Sequence, residues 1–114
     1  MKEEIARKWV EELRSGRHRQ GRERLKRLNG SMCCLGVLQG VVLGLPVVVG
    51  EDAWLSGEAL EASGMSTNIG DLPHAAQEIG AYTLAGLNDG APADMRCRTF
   101  PEIADIIEAH WPDL

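Results

Sequence analysis

The N-terminal residues place an apolar side chain on one helical face at about every fourth position. The residues of this stripe are Ile5, Trp9 and Leu13, with Ala6 and Val10 beside them. The spacing predicts an amphipathic helix over residues 3–15, because side chains four residues apart share a face. Gly16 follows directly and predicts the end of the helix, since glycine adopts the left-handed conformation that ends many helices.

The C-terminal segment has the pattern of a second amphipathic helix. It opens with Thr99-Phe100-Pro101-Glu102, in which the Thr99 hydroxyl can accept from the Glu102 backbone N–H and the Glu102 carboxylate from the Thr99 N–H. This capping box predicts a helix that ends near His110, before Pro112. Its predicted buried face consists of Phe100, Ile103, Ile106 and Ile107, with Ala104 beside them.

Residues 32–49 form the most apolar stretch, in which only Gln39 is plainly polar. The stretch has the minimum length of a membrane-spanning helix, but its glycines lower its hydrophobicity and Pro46 interrupts it near the end. We therefore interpret residues 33–44 as a buried core helix. Three glycines, Gly36, Gly40 and Gly44, recur every fourth residue and would let another helix approach closely. This face, in so small a chain, predicts a homo-oligomer, most simply a dimer.

The remaining segments carry weaker signals. Asn29-Gly30 predicts a hairpin pairing 22–28 with 31–34, although this turn could equally join two helices, and residues 47–49 predict a strand or an extended buried segment. Further along, the pattern predicts a helix over 56–63, a loop over 65–73, and a helix over 75–87 that is broken at Gly80 and followed by a turn at Asn88-Asp89-Gly90. The expected fold is therefore mainly α, a single domain over residues 1–114 with four to five helices and at most a short β-hairpin. An α+β fold is the alternative.

The net charge of −5 conceals a division along the chain. Residues 1–30 carry ten Lys or Arg against five Glu, a net charge of +5, whereas residues 31–114 carry two Arg against twelve acidic residues, a net charge of −10. The positive charge is concentrated in a run that we call the basic segment, residues 14–27. Such a run is either a solvated face or a binding surface for an anionic partner, which includes the acidic remainder of the protein itself.

Cysteine usage and the N-terminal sequence indicate the cytoplasm. The three cysteines are odd in number, and Cys33 and Cys34 are adjacent, which does not suit a disulfide framework. The N-terminus is charged and has no apolar secretory core. The cysteines and the three histidines show no recognised zinc spacing, so neither a metal nor another cofactor is expected. The apolar residues after Cys33 and Cys34 favour core packing over a nucleophilic role.

The sequence carries no P-loop, dinucleotide-binding fingerprint, zinc signature or Gly-x-Ser-x-Gly elbow, which favours a binding protein over an enzyme and leaves no catalytic residue to name. Within the basic segment, glycines alternate with donors that can surround an anion. An arginine can bind a phosphate with two hydrogen bonds, and a glutamine amide can form hydrogen bonds with the edge of a base or of a ribose. Asn88 and Asp89 either bind a ligand or form a turn at a helix end. The candidate ligand-binding residues are Arg14, Arg17, His18, Arg19, Gln20, Arg22, Asn88 and Asp89.

Two fragments of the sequence belong together: Cys33-Cys34-Leu35-Gly36-Val37-Leu38, and Leu87-Asn88-Asp89 followed by Phe100-Pro101-Glu102-Ile103-Ala104-Asp105-Ile106-Ile107-Glu108; Trp9, Leu13, Ser15-Gly16 and Gln20-Gly21 accompany them. With these residues the chain resembles a largely uncharacterised group of small proteins encoded by tailed bacteriophages and prophages. The resemblance implies a phage protein acting in the cytoplasm of a bacterial host.

A small phage protein without a catalytic signature suggests a counter-defence factor, and two mechanisms fit the charge pattern. The basic segment favours sequestration of a phosphorylated, nucleotide-derived immune signal. The acidic remainder instead favours inhibition of a host defence or nucleic-acid enzyme, with Asp52, Glu58 and Glu61 as candidate contacts. The expected partners are therefore a phosphorylated nucleotide-type molecule or a host protein, and no membrane.

Overall fold

The computed structural model describes residues 1–77, 81–90 and 96–114. Within these residues the chain forms five α-helices: α1 over Glu3–Arg14, α2 over Cys34–Gly36, α3 over Gly57–Ser63, α4 over Leu84–Asp89 and α5 over Phe100–His110. A π-helical segment, Val37–Val42, continues α2, and two short 3₁₀ turns lie at His74–Ala76 and Trp111–Asp113. The predicted mainly α fold is confirmed.

The two terminal helices pack against each other, as their apolar stripes require. The buried residues of α1 are Ala6, Trp9, Val10 and Leu13, and those of α5 are Phe100, Ile103, Ala104 and Ile107. The predicted end of α1 and the predicted start of α5 are both confirmed. Gly16 has a φ of +75°, and the Thr99 hydroxyl accepts from Glu102 while the Glu102 carboxylate accepts from the Thr99 N–H. The Ser56 hydroxyl likewise caps the predicted helix α3.

The predicted central helix is confirmed, and its first half lies in the core. Cys34, Leu35, Val37 and Leu38 are fully buried, and the Trp9 indole N–H donates to the Cys34 carbonyl at 2.9 Å. This bond satisfies the indole inside the core, where an unpaired donor would be costly. The second half of the helix reaches the surface, where Val41 is exposed. None of the helices in the described ranges combines the length and hydropathy that crossing a membrane requires.

Two of the three glycines of the central segment, Gly36 and Gly40, are covered by other parts of the same chain, whereas Gly44 lies beyond the helix, is exposed and has a φ of +63°. A Cβ atom built on Gly36 would lie only 2.0 Å from the Leu25 carbonyl oxygen, and one on Gly40 would lie 3.0 Å from the Val47 Cγ2. The close approach that the glycines predict therefore occurs within the chain. The predicted homodimer stays a prediction, and this face is not available to it at Gly36.

The middle of the chain differs from its sequence pattern in two places. The first part of the predicted helix over 75–87 is wrong: a 3₁₀ turn lies at His74–Ala76, and α4 begins only at Leu84, because Thr83 pairs with Asp71 and the Leu72 N–H donates to the Tyr82 carbonyl at 2.9 Å. The Thr83 hydroxyl then caps α4 by accepting from the Gly86 N–H at 2.9 Å. The predicted break at Gly80 lies outside the described residues. The turn after Asn88-Asp89 is confirmed by the positive φ of Gly90, +73°.

The predicted hairpin is reduced to one antiparallel bridge between Lys26 and Met32. The Arg27 N–H donates to the Ser31 carbonyl at 2.8 Å across the expected turn, in which Gly30 has a φ of +84°. Residues 47–49 form no strand, since Val49 lies in a turn, and the predicted burial is wrong for Val48 and Val49, which are exposed.

Candidate functional site

The Gln20 side chain anchors the basic segment to two distant helices. Its amide nitrogen donates to the Asn88 Oδ1 at 2.9 Å and to the Arg98 carbonyl at 2.8 Å, and its Oε1 accepts from the Phe100 N–H at 3.0 Å. Both ends of the amide are therefore bonded within the protein. Gln20 fixes the position of the loop relative to α4 and α5.

Asn88 is the buried centre of the same network. Its Nδ2 donates to the Gly21 carbonyl at 2.8 Å, and its Oδ1 accepts from the Cys34 N–H at 3.2 Å as well as from Gln20. One side chain thus joins the basic segment, α2 and α4. Of the predicted site residues, Gln20, Asn88 and Asp89 do come together, but their polar atoms are bonded to the chain. That they also contact a ligand stays a prediction.

Glu23 has an unusual backbone conformation at the middle of the basic segment. Its φ is +65°, which makes it the one non-glycine residue with a positive φ in the described part of the chain. The left-handed region costs a residue with a Cβ roughly 1–2 kcal/mol. The Asp89 Oδ1 accepts from the Glu23 N–H at 2.9 Å and holds this conformation. Such strained residues are concentrated at functional sites.

Several members of the basic segment form ion pairs with the protein's own carboxylates. The Arg14 guanidinium lies 2.7 Å from Asp105 and 2.9 Å from Glu108, and so ties α1 to α5. Hydrogen bonds from Arg14 lower the pKa of the Glu108 carboxyl below its ordinary range. The Arg17 guanidinium lies 2.8 Å from the Glu12 carboxylate, and the His18 Nε2 contacts the same carboxylate. These three predicted site residues therefore have internal partners.

The second half of the basic segment is partly neutralised in the same way. Arg24 lies 2.9 Å from Asp52, and Arg27 lies 3.7 Å from Glu23. The Arg27 Nε also donates to the Arg22 carbonyl at 2.9 Å, which fixes the backbone there. Asp52 is paired with Arg24. Of the three candidate contacts of the acidic remainder, Glu58 and Glu61 are therefore the two without an ion pair among the described residues, and both are exposed on α3.

Arg19 and Arg22 differ from these arginines. Both are exposed, and neither guanidinium has an ion-pair or hydrogen-bond partner among residues 1–77, 81–90 and 96–114. Their backbone, in contrast, is firmly held: the Arg19 carbonyl accepts from Met32 N at 3.0 Å, and Gly21 N donates to the Met32 carbonyl at 2.7 Å. Two free cationic side chains thus emerge from a fixed loop, which reduces the entropy lost when they bind an anion.

The two adjacent cysteines are buried, as the sequence predicts. Burial raises the pKa of the Cys33 thiol to about 11 and raises that of Cys34 well above its ordinary value of 9.0. A neutral, inaccessible thiol is a poor nucleophile. Cys97 is half-buried, and its Sγ donates to the Asp89 carbonyl at 3.4 Å.

We expect the stability of the protein to fall as the pH rises from about 9 to about 11. Above the ordinary thiol pKa the unfolded chain loses protons from Cys33 and Cys34, whereas the folded chain keeps them, so unfolding is favoured. Urea titrations at several pH values measure this fall, and Cys33→Ala should make it shallower.

In the native protein, a thiol reagent should label Cys97 alone. Rapid labelling of Cys33 or Cys34 without unfolding would contradict their burial.

The N-terminal part of the chain is similar to a known domain family. A family model described as Domain of unknown function (DUF8296) matches residues 1–44. The matched region contains α1, the basic segment, α2 and the π-helical segment. No curated protein and no solved structure matches the chain.

Proposed function

We propose that this protein is a non-enzymatic binding protein that captures a phosphorylated, nucleotide-type molecule on the basic segment through Arg19 and Arg22. The observation that carries the proposal is the contrast in this segment between paired and unpaired arginines. Arg14, Arg17 and Arg24 are engaged by carboxylates within 3 Å, whereas Arg19 and Arg22 are exposed and have no partner in the described residues.

The fixed backbone beneath these two arginines supports the same function. Gln20 and Gly21 lie between them and are bonded to Asn88, α5 and Met32. A rigid loop holds its guanidinium groups near the geometry in which each can form two hydrogen bonds with a phosphate. The strained Glu23, adjacent to Arg22, is a further sign that the shape of this loop is specified.

The biological role that we propose is phage counter-defence in the bacterial cytoplasm, by sequestration of a nucleotide-derived immune signal. This part of the proposal rests on the resemblance of the Cys-Cys-Leu-Gly-Val-Leu and Leu-Asn-Asp segments to proteins of tailed phages. A binding protein that only holds its ligand needs no catalytic group, and its effect depends on affinity and abundance.

Calorimetry with cyclic nucleotides and ADP-ribose-type nucleotides tests the proposal directly. We expect at least one of them to bind, and we expect Arg19→Ala and Arg22→Ala each to weaken binding about tenfold or more, since each removes charge-assisted hydrogen bonds that contribute roughly 1.5 to 3 kcal/mol. Arg7→Ala is the matched control, because Arg7 is an exposed arginine that is paired with Glu3 on α1. Its binding should equal that of the wild type.

Two results would argue against nucleotide capture. The first is that no nucleotide binds with a dissociation constant below about 1 mM, a value at which the free energy of binding is only roughly 4 kcal/mol. The second is equal binding by wild type, Arg19→Ala and Arg22→Ala. Loss of a host-protein interaction in Glu58→Lys or Glu61→Lys, with both arginine variants active, would favour the acidic-face mechanism instead.

A further inference from the structure

Exposed apolar side chains gather around the turn that follows the basic segment. Leu28, at the tip of this turn, is 96% exposed, and Val48 and Val49 are 57% and 44% exposed. Single exposed apolar residues are ordinary, but a group of them marks an interaction surface. We call residues 23–28 and 48–52, together with Val41, the hairpin patch.

The two segments of the hairpin patch lie side by side. Gly50 N donates to the Lys26 carbonyl at 2.9 Å, and Arg24 pairs with Asp52. Between them is an open cleft of about 380 Å³, lined by Arg24, Arg27, Leu28, Asn29, Val49 and Gly50. A second cleft of about 200 Å³ lies on the other side of Lys26 and includes Val41 and Val47. The exposed apolar groups thus adjoin concave surfaces that can receive side chains.

The charges of the hairpin patch are balanced, which decides what kind of partner it suits. Its three basic residues, Arg24, Lys26 and Arg27, are matched by three acidic ones, Glu23, Glu51 and Asp52. A nucleic acid or an anionic membrane is attracted by an excess of positive charge, and this surface has none. A two-fold symmetric interface, in contrast, must complement itself, so that each charge finds its opposite on an identical surface.

The charge of the whole chain points to the same partner. The net charge is −5, and because the hairpin patch contributes zero, the remainder of the surface carries all of it. Two copies carry the same net charge, and an interface formed by two neutral patches adds no repulsion between like charges to the burial of their apolar side chains. We propose that the hairpin patch is the interface of a two-fold symmetric homodimer, in which Leu28 and the exposed valines of one copy pack against those of the other. The proposal does not depend on the nucleotide ligand.

Sedimentation velocity at micromolar concentration tests this interface. We expect a mass of two chains for the wild type and of one chain for Leu28→Asp, which replaces an apolar contact at the interface with a carboxylate that must lose its hydration, and which should raise the dissociation constant about tenfold or more. Val49→Asp, in the same cleft, should act likewise. Leu28 contributes no buried area to the single chain, so circular dichroism of Leu28→Asp should match that of the wild type.

Tyr82→Asp is the matched control, because Tyr82 is 58% exposed and lines neither cleft. It should keep the two-chain mass. A single-chain mass for the wild type would overturn the homodimer and would indicate that the partner of the patch is a different protein. A two-chain mass that survives both Leu28→Asp and Val49→Asp would overturn the assignment of the interface to this patch.

Discussion

Replacing Gly36 with alanine is expected to destabilise the fold by at least about 3 kcal/mol, a large part of the 5–15 kcal/mol that holds a typical domain together. The added Cβ would lie 2.0 Å from the Leu25 carbonyl oxygen and 2.8 Å from its carbonyl carbon. Both atoms belong to the backbone, so no side-chain rotation can relieve the contact. The segment that carries Leu25 would have to move away from the central helix.

Urea unfolding of Gly36→Ala measures this effect, and Gly57→Ala is its matched control. A Cβ at Gly57 meets no atom within 4 Å, and the residue begins α3, where alanine is a better helix former. The control should therefore be as stable as the wild type or slightly more stable. A free energy of unfolding for Gly36→Ala within about 1 kcal/mol of the wild type would contradict the packing described for Leu25.

Replacing Asn88 with alanine is expected to cost about 3 to 5 kcal/mol, because it leaves several buried groups without partners at once. The Cys34 N–H and the Gly21 carbonyl both lose their bond to the Asn88 amide, and Gln20 loses one of its acceptors. The Cys34 N–H and the Gly21 carbonyl are buried, so water cannot replace their lost bonds. The substitution also removes two of the hydrogen bonds that hold the basic segment to α4, and leaves the bond between the Glu23 N–H and Asp89.

Hydrogen exchange and urea unfolding together test the role of Asn88. The Cys34 amide should exchange faster in Asn88→Ala than in the wild type, by more than the global loss of stability explains. Asn68→Ala is the control, since the Asn68 side chain is exposed and shows no hydrogen bond to the described residues. An unchanged exchange rate at Cys34 would refute the proposed bond.

The basic segment shows why charge patterning is ambiguous in a sequence. The run of arginines is evident, and both a solvated face and an anion site are open interpretations of it. Arg14 is paired with Asp105 and Glu108, which are more than 90 residues away along the chain. Only the antiparallel packing of α1 on α5 brings these groups together, and no spacing near Arg14 indicates it.

The glycines of the central helix give a related lesson. At Gly36 and Gly40 their spacing correctly predicts that something approaches closely, because the absence of a Cβ is a local property; at Gly44 the prediction is wrong, since no atom would lie within 4 Å of an added Cβ. It does not say what approaches. The structure places Leu25 against Gly36 and Val47 against Gly40, and so uses within one chain the surface that the spacing offered to a second.

The sequence by itself determined the elements whose causes lie within about one helical turn. The apolar stripes of α1 and α5, the Thr99 capping box, the Ser56 cap and the turns at Gly16 and Gly90 are all of this kind, since the residues that cause them are neighbours in the chain. Burial of Cys33 and Cys34 followed from the apolar run that they begin.

The tertiary structure alone decided the pairs that join distant segments: Gln20 with Asn88, Glu23 with Asp89, and Trp9 with the Cys34 carbonyl. It also decided that α4 starts only at Leu84, because the preceding residues pair with the loop at Asp71 instead of continuing a helix. The physical reason is that such contacts depend on how the chain returns on itself. No periodicity in the sequence indicates a hydrogen bond between residues 68 positions apart, so such a bond is known only once the packing of the elements has brought the two residues together.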